Sequence, residues 1–102
     1  MCFKAIAHAL TKNTTLTSLN LRLNHIGDEG GQAVCRALLR NATLRELNLG
    51  SNEMGEPVAA AMARVLRENS TLESIDLSCN QLGPVSVWRL RRLYCISFTI
   101  YL

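Results

Sequence analysis

The chain has 102 residues, 48% hydrophobic and 19% charged, which fits one folded domain and excludes a disordered or fibrous polypeptide. Eleven Lys and Arg stand against eight acids, a net charge of +3. Scattered along the chain as they are, these cations exclude nucleic acid as a partner, because polyanion binding needs a concentrated basic stripe. No run of about 18 apolar residues is present to span a membrane. The opening MCFKAIAHAL, with Lys4 and His8, does not read as a secretory signal.

In chain order, Cys2, Ala5, Ile6, Ala9 and Leu10 recur at the spacing of one helix face. Leu16, Leu19 and Leu21 follow, with Leu19 and Leu21 alternating against Ser18, Asn20 and Arg22. That period of two predicts a short strand with one face buried. The period then changes: Gly30, Ala33, Val34, Ala37 and Leu38 predict a second helix, with Asp28 as its cap. Leu44, Leu47 and Leu49 repeat the strand, and Val58, Ala61, Met62, Val65 and Leu66 repeat the helix, with Pro57 tolerated in its first turn. Leu72, Ile75 and Leu77 begin a third copy, with Pro84 near the start of its helix.

These elements recur with a period of 28 residues. Of the 28 pairs formed by laying Thr15–Ala42 over Thr43–Ser70, eleven are identical, so the two segments are copies of one unit. A single strand–helix unit cannot bury its apolar stripe alone, and stacked copies share one core. The reading is an α/β solenoid with a short parallel sheet. The predicted divisions are a helix of an incomplete repeat at 1–14, repeats at 15–42 and 43–70, the start of a third at 71–88, and a divergent tail at 89–102. In the tail, Arg89 falls where Ala33 and Ala61 stood, while Leu90 and Leu93 keep the helix face. The run Tyr94–Leu102 alternates like a strand, with Thr99 and Ile100 in register with Thr71 and Leu72. Neither end carries a polar cap, which predicts a fragment of a longer array and self-association through the uncapped ends.

The recurring text is Leu16-x-x-Leu19-x-Leu21-x-x-Asn24-x-Ile26, repeated from Leu44 and from Leu72. It resembles the leucine-rich repeat, and the 28-residue length with a full helix resembles the ribonuclease-inhibitor type. The resemblance implies that Asn24, Asn52 and Asn80 form an asparagine ladder where the chain leaves each strand. An amide side chain offers both donor and acceptor there. Gly27, Gly55 and Gly83 are expected to bend the backbone into the helix.

The candidate docking surface is the outward strand row: Ser18, Asn20 and Arg22; Glu46, Asn48 and Gly50; Ser74, Asp76 and Ser78. Solenoids bind proteins through such rows. The helix surface, with Arg36, Arg40, Arg64, Arg67 and Glu68, is a second candidate.

No catalytic or metal site is expected, and no cofactor. The cysteines Cys2, Cys35, Cys79 and Cys95 are too far apart for a CxxC pair, and neither His8 nor His25 stands at ligand spacing to one. They read as reduced, packed thiols of a cytoplasmic protein. Asn13-Thr14-Thr15, Asn41-Ala42-Thr43 and Asn69-Ser70-Thr71 match the glycosylation pattern but recur with the repeat, which favours a structural role.

The wording LNLRLNHIGDEGGQAVCRAL, then LNLGSNEMGEPVAAAMARVL and SIDLSCNQLG, is similar to the leucine-rich-repeat subunits of the nexin–dynein regulatory complex. That similarity covers Lys12 to Gly83 and implies a non-enzymatic scaffold of cilium or flagellum, with other axonemal complex subunits as partners. Other repeats of this type act on enzymes, as nuclease inhibitors or small-GTPase activators, or form the sensors of innate immune receptors. These stand as alternatives.

Overall fold

A computed structural model describes residues 3–92 and 99–102. Four helices alternate with four strands: α1 (Phe3–Lys12), β1 (Ser18–Asn20), α2 (Gly27–Leu38), β2 (Glu46–Asn48), α3 (Glu56–Glu68), β3 (Ser74–Asp76), α4 (Pro84–Arg92) and β4 (Thr99–Tyr101). The strands form one parallel sheet in the order β1-β2-β3-β4. Consecutive helices pack side by side, α1 on α2, α2 on α3 and α3 on α4. This is a solenoid of the kind the repeats predict.

The sheet register follows the period. Leu19 pairs with Leu47 and Leu47 with Ile75, each 28 residues on. Pairing continues beyond the three-residue strands: Leu21 N–H donates to Asn48 O at 2.8 Å, and Leu49 N–H donates to Asp76 O at 2.8 Å. The core lies between sheet and helices. Leu44, Leu49, Met54, Val58, Met62, Val65, Ile75 and Leu77 are buried within it. No buried side-chain polar atom lacks a partner among the described residues.

Several expectations need correction. Thr99 and Ile100 do not align with Thr71 and Leu72. Thr99 pairs with Ser74 and Ile100 with Ile75, so the last coil is 25 residues long. The reason is a shorter helix, nine residues in α4 against thirteen in α3. Leu90 is buried as expected, whereas Leu93, Tyr94 to Phe98, Cys2 and Cys95 lie outside the described residues.

Ala5 and Ala9 were expected on an inward face but are exposed. Their counterparts Ala33 and Ala37 are buried on α2, at the seam with α1. That side of α1 faces no other helix among the described residues. Leu16 shows the same effect on the sheet: it is 36% exposed, against 1% for Leu44 one coil later.

Asp28 does not cap α2. It lies inside the helix, and its Oδ1 accepts the Gly55 N–H at 2.6 Å, tying one coil to the next. Gly27 and Gly83 take left-handed φ values of 70° and 83°, but Gly55 is extended at −115°. Cys35 is buried, while Cys79 is exposed at the exit of β3 rather than packed.

Candidate functional site

The strands are short because each chain segment leaves the sheet at once, and asparagines hold the exit. Asn24 N–H donates to Asn52 Oδ1 at 2.8 Å, and Asn52 N–H donates to Asn80 Oδ1 at 2.9 Å. The amide nitrogens point the other way. Asn52 Nδ2 donates to Leu21 O and Gly50 O, and Asn80 Nδ2 donates to Leu49 O and Leu77 O. Each coil is thereby bonded to the one before it. The backbone bends on both sides of these asparagines, with left-handed φ at Leu23, His25, Ser51, Glu53 and Cys79. Strain of this kind persists only where surrounding bonds over-determine it.

A second set of asparagines holds the entry to each strand. Asn41 Oδ1 accepts the N–H of Thr43 at 3.0 Å and of Leu44 at 2.8 Å, while Nδ2 donates to Leu10 O at 2.8 Å. Asn69 repeats this with Thr71, Leu72 and Leu38 O, and Asn13 Oδ1 accepts from Thr15 and Leu16. These are the residues of the three glycosylation-like triplets. With Asn41 only 5% exposed and its amide bonded at both ends, its recurrence has a structural cause.

Between entry and exit lies the outward row. The register sets Ser18, Glu46, Ser74 and Thr99 in one line across the sheet, and Asn20, Asn48, Asp76 and Tyr101 in the next. Ser18, Asn20, Arg22, Glu46 and Tyr101 are exposed, and Asn48, Ser74, Asp76 and Ser78 are half-buried. Gly50, expected in the row, is buried, and a side chain there would meet Asn48 Oδ1 and Ser78.

The middle line has a task that the sequence reading missed. Asn20 Oδ1 accepts the Arg22 N–H at 3.0 Å, Asn48 Oδ1 accepts the Gly50 N–H at 2.9 Å, and Asp76 Oδ1 accepts the Ser78 N–H at 2.9 Å. Each is a local side-chain turn ending the strand. The preference for Asn or Asp two residues after the paired Ser or Glu was the available signal.

Two cross-coil ion pairs border the row: Arg45 with Glu73 at 2.9 Å, and His25 with Glu53 at 2.5 Å. All four side chains are largely exposed, so the pairs shape surface charge more than they stabilise the fold.

Opposite the sheet, the helices carry most of the positive charge. Lys4, Lys12, Arg36, Arg64, Arg67, Arg89, Arg91 and Arg92 lie on them, and Arg40 follows α2 directly. Trp88, the single tryptophan, is exposed on α4 with the Arg92 guanidinium 4.8 Å above its ring centre. Burial pushes the Cys35 thiol up to about 12, with Arg36 partly opposing, so it is no nucleophile at neutral pH. No cluster of metal-ligating side chains occurs among the described residues.

Comparison with known proteins agrees with this geometry. The sequence matches the Leucine Rich repeat family over residues 12–35, 40–62 and 68–87. Comparison with curated protein sequences gives no match. Among solved structures, the chain is similar to the tropomodulin C-terminal domain of Caenorhabditis elegans, with a TM-score of 0.84 and 15% identity over 99% of this chain and 63% of that one. It is also similar to Leiomodin-1 Actin-Binding Site 2, with a TM-score of 0.84 and 22% identity over 97% of this chain and 60% of that one. The chain thus spans about three-fifths of each of these structures, and the likeness is one of fold.

Proposed function

Because the chain belongs to the leucine-rich repeat family, we propose that it is a non-enzymatic protein-binding scaffold whose docking surface is the outward strand row. The observation that carries this reading is the register. Four strands bring polar side chains from four distant segments into two continuous lines on one exposed face. Such a surface offers extended complementarity to another protein and no pocket for a small substrate.

The setting we propose is a cytoskeletal complex of cilium or flagellum, with axonemal subunits as partners. The support is the wording of the repeats from Lys12 to Gly83, which is similar to subunits of the nexin–dynein regulatory complex. A second reading is an actin-binding module. It is supported by the shared fold with a structure described as Leiomodin-1 Actin-Binding Site 2. A nuclease-inhibitor role is disfavoured, since the tryptophan such a row would use sits on α4 instead.

Co-sedimentation separates the readings. Isolated axonemes and purified actin filaments are each mixed with the full chain and pelleted. Pelleting with axonemes supports the ciliary setting, and pelleting with actin filaments alone supports the second reading. A chain left in the supernatant by both removes both.

A further inference from the structure

The cations that look scattered in sequence gather on one side of the fold. Nine of the eleven Lys and Arg lie on the helices or directly after α2, with four of the eight acids. The strands and their loops keep Arg22 and Arg45 against Glu46, Glu53, Glu73 and Asp76. The two faces therefore differ in sign, positive on the helices and negative on the sheet side.

The positive side has one groove lined by cations alone among its charged residues. Between α1 and α2 lies an open cleft of about 450 Å³, walled by Lys4, His8, Lys12, Arg36 and Arg40. Ala7, Ala33 and Ala37 form its floor. Lys4 is answered by Glu29, 3.1 Å away, but no carboxylate pairs with Lys12, Arg36 or Arg40 among the described residues. The alanines make the cleft, because small side chains at the seam let the two helices approach and leave a trough above.

We infer that this groove binds an acidic peptide segment of a partner protein, separately from the strand row. Charge complementarity selects carboxylates for the walls. The apolar floor admits the backbone and small side chains of an extended polypeptide. Nucleic acid is the weaker fit, since the groove has no aromatic side chain on which a base could stack. The inference does not rest on the proposed use of the strand row, and either surface can fail alone.

The test uses fluorescence anisotropy of a fluorescein-labelled poly-glutamate peptide titrated with the full chain. The wild type should bind, and binding should weaken as salt rises from about 50 to about 300 mM, because screening shortens the reach of exposed charge. The double variant Arg36→Gln/Arg40→Gln should lose about tenfold or more in affinity while its circular dichroism spectrum stays unchanged. Arg22→Gln, on the strand side, should bind as the wild type does. Equal affinity in the double variant would overturn the inference, as would an equal loss in Arg22→Gln. Tighter binding of a single-stranded oligonucleotide than of the peptide would overturn it too.

Discussion

Asn52 has no exposed surface, and its side chain serves three backbone groups: the carbonyls of Leu21 and Gly50 and the N–H of Asn24. Replacing it with Ala strands all three where water cannot reach, so Asn52→Ala should lower the unfolding free energy by about 2–4 kcal/mol in a urea titration. The exposed Asn13, which donates no amide hydrogen bond across coils, should cost well under half as much on the same change. Cysteine makes a second contrast. Cys79 is exposed and Cys35 buried, with its thiol pushed up to about 12 from a usual 9.0. A thiol reagent at pH 8 should label Cys79 in the native chain and reach Cys35 only after denaturation. Because the unfolded Cys35 thiol ionises above pH 9 and the native one does not, its contribution to stability is complete below about pH 9. It should fall as pH rises towards 12, visible as a declining urea midpoint. At this scale the exit asparagines were legible because each recurs after a period-two leucine pair. The strand-ending bonds of Asn20, Asn48 and Asp76 were not, since alternation reports only that a side chain points outward.

Helix spacing is set by small residues at the seams. Gly31 on α2 is buried, and a side chain there would meet Val58 Cγ2 at 2.6 Å and Met54 Sδ at 2.8 Å. On a free helix, Gly→Ala stabilises by about 1 kcal/mol. Here the methyl group would push α3 away from α2, and Gly31→Ala should instead destabilise by about 1–3 kcal/mol. A rise in the thermal midpoint of that variant would contradict the packing described. The helices and first three strands were legible because their apolar residues switch between periods of 2 and 3.6. The last coil was not: with four residues fewer in α4 than in α3, a fixed step of 28 points to the wrong partner for Thr99. Likewise Ala5 and Ala9 carry the inward pattern, but a pattern cannot say whether a neighbouring helix is there to cover it.

Across the whole molecule, about 33 × 30 × 18 Å, the chain separates its charges by wrapping. Each coil sends its middle residues to the sheet side and its helix to the other, so a mixed sequence becomes two faces of opposite sign. Reading charge along the sequence hides this, and reading it coil by coil reveals it. The sheet face carries the proposed docking row. Glu46 and Ser74 are paired across β2 and β3, and neither side chain holds a backbone N–H in place, so both can be changed without loosening a turn.

The most direct measurement is therefore co-sedimentation of the wild type and of Glu46→Arg/Ser74→Arg with axonemes, alongside urea midpoints of both chains. The account predicts that the double variant keeps the wild-type midpoint and stays in the supernatant. A variant that pellets as fully as the wild type would show that the partner docks elsewhere than on the strand row.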